Sequence, residues 1–204
     1  MVSMTAQPIG IYTIEDLERS REHDDRLRWE LLDGELVVTP SPRTIHQSIA
    51  FRLGVRIDQV APDGTELFVA PLDVRLDERN VLQPDLLLAE EATIEDEFVS
   101  AAPILAVEIL SPSTRRRDLV TKLDILQRAG CPHYWVIDPA DASVRIWELV
   151  SGAYRLVIHA HGDEQVTVSE PVHLSFAVND LISPRWRVKD AGGGCGAPRL
   201  QRGS

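Results

Sequence analysis

Two segments of this chain are apolar without a break except for one acid each: DLLLA at 85–89 and ILAVEIL at 104–110. Strands with one face in water alternate apolar and polar residues, so unbroken runs of this kind belong to strands covered on both faces. The chain must therefore fold in layers, with these strands inside a sheet that carries protein on either side. Asp85, directly after Pro84, and Glu108 then stand where charge is costly. Neighbouring strands lie about 4.8 Å apart, which can bring the two acids within ~5 Å. Two buried carboxylates at that range do not both stay charged without a cation. One solution is a divalent ion such as Mg²⁺, which accepts one or two carboxylates plus waters and phosphate oxygens. The other is local: Asp85 caps a strand start and Glu108 pairs with an arginine at a strand end.

The flanking sequence supplies the layers. Thr13 precedes a short acidic helical stretch, IEDLERSRE, and WELLDGELVVT at 29–39 predicts a hairpin turning at Asp33-Gly34. After Pro42, with Thr44 as the expected N-cap, Ile45, Ile49, Leu53 and Ile57 recur every four residues and predict a helix over 44–60. Strands are expected at 66–70 and 72–76, separated by Pro71, and a helix from Asp118 to Ala129 closed by Gly130. YWVID (134–138) reads as a further buried strand, and 144–148, 154–159 and 165–170 as an antiparallel meander. This order predicts an α+β fold with a mixed central sheet. A chain of 204 residues is expected to form one domain, over 1–190, with the glycine-rich segment 191–204 as a disordered tail.

One lysine stands out in the 118–129 helix. On a helical wheel Lys122 falls in the arc of Leu119, Leu123, Leu126, Ala129 and Val120, so its amine must either snorkel out or meet a buried acid. The short segment SPSTRRR links this helix to the Glu108 strand and turns it back over the sheet, near the acids. The overall charge of −11 argues against non-specific coating of nucleic acid, although Arg115, Arg116, Arg117, Lys122 and Arg128 make a local basic stretch. Cys131 and Cys195 have no ligand-like spacing, and a reducing compartment is the expectation. The N-terminal MVSMTAQPIG has neither a basic start nor an apolar signal core, so a cytoplasmic protein with no membrane association is expected.

QPDLLLA at 83–89, AVEILSPSTRRRD at 106–118, Lys122, AGCPHYWVIDP at 129–139, and WELLDGELVVTPSP at 29–42 followed by His46 occur in this order. Together they resemble the Uma-type family of restriction-endonuclease-like proteins, a branch of the PD-(D/E)XK nuclease superfamily, over roughly residues 12–182. The resemblance implies an αβββαβ core, matching the helix 44–60, strands 66–76, 85–89 and 104–110, helix 118–129 and strand 134–138, with a flanking hairpin and the C-terminal meander. It implies that Asp85 and Glu108 are metal-binding acids for Mg²⁺ or Mn²⁺. The superfamily places a lysine two residues after the glutamate, where this chain has Leu110; members of the family often have leucine there and a lysine in the next helix. Lys122 thus resembles a migrated replacement.

The resemblance also points to Glu30 as an added metal or water ligand; alternatively it is an exposed edge-strand carboxylate. His46 either contacts a phosphate or caps the helix, Gln83 either touches substrate or fixes the Asp85 turn, and Arg115, Arg116 and Arg117 either grip phosphate or form a solvated turn. The expected activity is hydrolysis of nucleic-acid phosphodiesters by a metal-held water, on DNA before RNA, with Asp85, Glu108, Lys122 and Glu30 as the catalytic set. A homodimer stays open. The rival is a non-catalytic nucleic-acid-binding or dimeric scaffold protein of the same fold, which Leu110 and the acidic charge favour.

Overall fold

A computed structural model describes residues 11–23, 27–39, 41–182 and 186. The tail expected at 191–204, the last stretch of the 1–190 domain and the N-terminal ten residues lie outside the described residues. The elements are α1 (Ile14–His23), β1 (Arg28–Leu32), β2 (Glu35–Thr39), α2 (Thr44–Asp58), β3 (Thr65–Val69), β4 (Asp73–Asp77), β5 (Asn80–Leu82) and β6 (Leu86–Glu90). They continue as β7 (Phe98–Val99), β8 (Leu105–Ile109), a π turn (Arg117–Lys122), α3 (Leu123–Ala129), β9 (His133–Asp138), β10 (Ser143–Val150), β11 (Ala153–His161), β12 (Gln165–Val168), β13 (Leu174–Ala177) and α4 (Val178–Leu181).

The two unbroken apolar runs lie side by side at the centre. A six-stranded mixed sheet has the order β11-β10-β9-β8-β6-β3, with β6 antiparallel and β9 parallel to β8. Every residue of β8 is buried, as are Leu86, Leu87, Leu88 and Ala89 of β6. One face of this sheet packs Leu86, Leu105, Val107 and Trp135 against Ile49, Leu53 and Ile57 of α2. The other face, through Ala106, Leu110, Tyr134 and Val136, meets Ile125 and Leu126 of α3 and Leu32, Val37 and Leu82 of a second sheet. That second sheet has the order β2-β1-β5-β4-β7. Its hairpin turns where Asp33 (φ 51°) and Gly34 (φ 79°) both adopt left-handed backbone, the pairing that a two-residue turn between twisted strands requires.

Three local expectations change. The strands on either side of Pro71 belong to different sheets, β3 to the edge of the central one and β4 to the second, so the chain crosses between layers there. Arg43, not Thr44, precedes α2 as its N-cap, with no side-chain cap bond. At the C-terminus β10 and β11 pair as expected, but β12 turns away and pairs with β13 as a separate two-stranded sheet. Val166, Val168, Leu174 and Phe176 thereby cover the α2 face of the central sheet, which a continued meander would leave open.

The helix after β8 differs most. Residues 115–129 are helical throughout, but Arg117–Lys122 is wound as a π turn. Val120 and Ala129, inside the apolar arc of a regular helix, are exposed, whereas Asp118, Lys122, Ile125 and Leu126 are buried. The wider turn carries one extra residue, a feature that recurs at functional sites. The buried Tyr134 hydroxyl on β9 donates to the Asp118 carbonyl at 2.8 Å and ties this turn to the sheet.

Candidate active site

The β6 and β8 register pairs Leu86 with Val107, and one further step sets Asp85 opposite Glu108 on the same face of the sheet. Four buried carboxylates gather there: Glu30 from β1, Asp85 ahead of β6, Glu108 from β8 and Asp118 from the π turn. Among them is a single buried ammonium. Lys122 Nζ lies 2.7 Å from Glu108 Oε1, 2.8 Å from Glu30 Oε1 and 3.8 Å from Asp118 Oδ1. Glu30 is thus fully buried, not an exposed edge carboxylate, because β1 is flanked by β2 on one side and β5 on the other.

Each carboxylate has its own supports. Asp85 Oδ2 accepts the Ile109 backbone N–H at 2.8 Å and faces His46 Nε2 at 2.9 Å, while Arg28 stands 3.7 Å from Oδ1. Glu30 Oε1 accepts the Gln83 backbone N–H at 2.8 Å, and Oε2 accepts the Thr39 hydroxyl at 3.0 Å. Gln83 is itself buried: its Nε2 donates to Asp73, and its Oε1 and carbonyl accept from Arg28. Arg21 clamps Asp73 from α1, so hydrogen bonds run from the first helix through Asp73 and Gln83 to Arg28, whose guanidinium forms an ion pair with Asp85.

Burial raises each of these acids, and the neighbours decide the net direction. Burial would lift Glu30, but the Lys122 charge and hydrogen bond, with the Gln83 N–H, hold it below its usual range. Asp85 is likewise lowered against burial, by His46 and the Ile109 N–H. Glu108 stands well above the ordinary carboxylate range, because burial and then Asp118, Asp85 and Glu30 outweigh Lys122. Asp118 is raised, burial first, with Asp85 and Glu30 adding to it. Burial would strip the proton from Lys122, but Glu108, Glu30 and Asp118 hold it on far above the usual range. Fully ionised, the four carboxylates would outnumber the one ammonium, and that surplus is part of what raises Glu108 and Asp118.

This surplus faces an open cavity of about 430 Å³, with Asp85, Glu108, Asp118 and Lys122 in its wall and His46, Arg28 and Arg43 around it. Hard carboxylate oxygens, excess negative charge and room for water fit a divalent cation bound by Asp85 and Glu108. Among the described residues no group of three or more histidine, cysteine, aspartate or glutamate side chains is placed to hold a metal ion. Two carboxylates leave the remaining positions of such a cation to water and substrate oxygens.

Asp85, Glu108, Lys122, Glu30 and His46 are thus brought together, whereas Gln83 lies behind them, outside the cavity wall. The three arginines disperse. Arg115 is tied to Asp138, Arg117 reaches the Thr39 hydroxyl at 3.4 Å, and Arg116 is exposed. Sequence reasoning missed Asp118, Arg28 and Arg43. The position of Asp118 four residues before Lys122 was the available signal for the first; the arginines gave none.

A family model described as Uma2, "Putative restriction endonuclease", matches residues 14–179. A solved structure described as a putative nuclease belonging to DUF820, from Anabaena variabilis, is similar in fold, with a TM-score of 0.60 at 20% sequence identity. The match covers 78% of this chain and 90% of that one. No curated protein matches. No helix among the described residues is long and apolar enough to cross a membrane.

Proposed function

This chain belongs to the Uma2 family, and from that membership we propose that it is a metal-dependent endonuclease that hydrolyses nucleic-acid phosphodiester bonds. The observation that carries this reading is the cluster of four buried carboxylates around Lys122, open on one side to a cavity. Such a group is expensive to fold around, and well-packed apolar side chains in place of buried ion pairs are often as stable or more so, which supports a use in chemistry.

Asp85 and Glu108 would hold Mg²⁺ or Mn²⁺, which when bound would supply a Lewis acid and a water that ionises more readily than bulk water. The rest of the chemistry belongs to the chain. Lys122 stays protonated, so it is a donor and not a base: from Nζ it orients a water or stabilises charge growing on a phosphoryl oxygen. Glu30 positions that ammonium, and is itself fixed by the Gln83 N–H and Thr39. His46 and the Ile109 N–H set the orientation of Asp85. Arg28 and Arg43 line the cavity where a substrate phosphate would approach.

One observation favours the second reading, a non-catalytic nucleic-acid-binding protein: the ammonium already pairs with Glu108, one of the two proposed metal ligands. Two measurements separate the readings. Calorimetry with Mn²⁺ is expected to show one site that Asp85→Ala removes. Among single-stranded and duplex DNA and RNA incubated with Mg²⁺ or Mn²⁺, at least one is expected to be cut by the wild type and none by Lys122→Met. Absence of both metal binding and cleavage in the wild type would leave the non-catalytic reading.

A further inference from the structure

A second cavity of about 310 Å³ adjoins the carboxylate cavity and shares Arg43, His46, Ser111 and Pro112 with it. It lies at the carboxyl ends of the parallel strands β8 and β9, under the first turn of α2. Its character is different. Ile45, Leu110, Pro112 and Pro139 make apolar walls, and besides the shared Arg43, His46 and Ser111 its polar side chains are Arg115 and the buried Asp138, which pair with each other. Asp138 is held in turn by the Ala140 N–H at 3.0 Å, so this pair is fixed before any ligand arrives. Arg43, exposed, stands where the two cavities meet.

These features select an occupant. A phosphate would be desolvated against Ile45 and Leu110. An aliphatic side chain would bury the Arg115 and Asp138 edge without using it. A flat heteroaromatic ring with donors and acceptors on its rim satisfies both the walls and the edge, and a phosphate attached to it would reach Arg43. A base inside a duplex presents neither its faces nor its pairing edge, so only an unpaired base can enter. The chain's charge of −11 points the same way: with weak long-range attraction to phosphates, affinity has to come from contact with bases.

We propose that this cavity receives an unpaired nucleobase next to the phosphodiester at the carboxylates, so that the substrate is single-stranded nucleic acid or an unpaired segment of a larger one. The proposal rests on the nuclease reading above. It also gives Leu110 a use: at the place where the superfamily has lysine, this chain has a wall of the base pocket.

The test uses fluorescein-labelled DNA and RNA oligonucleotides, single-stranded and as blunt duplexes, with anisotropy read in a Ca²⁺ buffer. An abasic residue is scanned through the strand, and cleavage with Mn²⁺ is measured in parallel. Single strands are expected to bind about tenfold more tightly than duplexes, and one abasic position to cost about tenfold. Ala140→Phe, which fills the cavity from an exposed turn, is expected to remove that position dependence without lowering the melting temperature. Equal affinity for strand and duplex, a flat abasic scan, or no binding at all overturns the proposal. Cleavage with a flat scan refutes the base pocket alone, whereas position-dependent binding without cleavage supports the pocket and refutes the nuclease.

Discussion

Replacing Lys122 with methionine keeps an unbranched stem one atom shorter and removes the charge, a change that looks benign from the sequence because the stem still packs. The structure gives a different expectation. The ammonium is 3% exposed and stands within 2.8 Å of two carboxylates that are themselves buried. Removing one partner of a buried ion pair leaves uncompensated charge and costs about 3–5 kcal/mol. For a domain of this size that is a fall in melting temperature of roughly 6–20 °C.

The cost should depend on pH, with a sign that the site sets. Lys122 holds Glu30 down and opposes the rise of Glu108, so in the variant both carboxyls move upward. A carboxyl whose folded pKa exceeds its unfolded one, about 4.3, stabilises fully below that value and loses its contribution as pH rises through the folded pKa. The deficit of Lys122→Met relative to wild type should therefore be small near pH 4.5 and widen toward pH 8. Mn²⁺ should narrow it, because the cation meets carboxylates with no competing ammonium, and a ligand that binds only the folded state raises its stability by mass action. Differential scanning fluorimetry from pH 4.5 to 8, with and without Mn²⁺, reads all of this. A loss of less than 2 °C that is flat with pH would show that the ammonium is not paired in the core.

Three further outcomes are expected. Gln83→Ala removes two side-chain hydrogen bonds, one to the buried Asp73 and one from Arg28, and should cost about 1–3 kcal/mol in denaturant unfolding; a stable variant with a raised KM would instead make Gln83 a substrate contact. Arg43→Ala should flatten the salt dependence of oligonucleotide binding by about one unit of slope, whereas Arg115→Ala should also lower stability because Asp138 loses its partner. Burial pushes the Cys131 thiol up to about 11, so iodoacetamide at pH 8 should label it, by peptide mapping, only after unfolding.

The parts of this architecture that could be read in the sequence are those where one residue breaks a strong local pattern. Asp85 and Glu108 are visible because everything around them is apolar, and Lys122 because it sits among leucines. The hairpin at Asp33-Gly34 is visible because few residues tolerate both left-handed positions. What stayed hidden depends on distant partners. Nothing local separates β12, which pairs with β13, from the third strand of a meander, because an alternating strand is satisfied by either neighbour. Arg28 reads as an ordinary polar residue before a strand until Gln83 and Asp85 are folded against it. The π turn has no compositional mark, and a regular helix fits Arg117–Lys122 equally well until Tyr134 and the carboxylates are in place.

That turn makes the centre sensitive to arithmetic as well as to chemistry. Deleting one residue among Leu119, Val120 and Thr121 would let the backbone close as an ordinary α-helix, turning Asp118 and everything before it by about 100° relative to Lys122. The core contacts of Ile125 and Leu126 would survive, and so would every acid and base named above. A homologue can therefore carry the whole set of side chains and still be a different machine, and comparison within such a group should weigh the spacing between Glu108 and Lys122 as heavily as the letters at its ends.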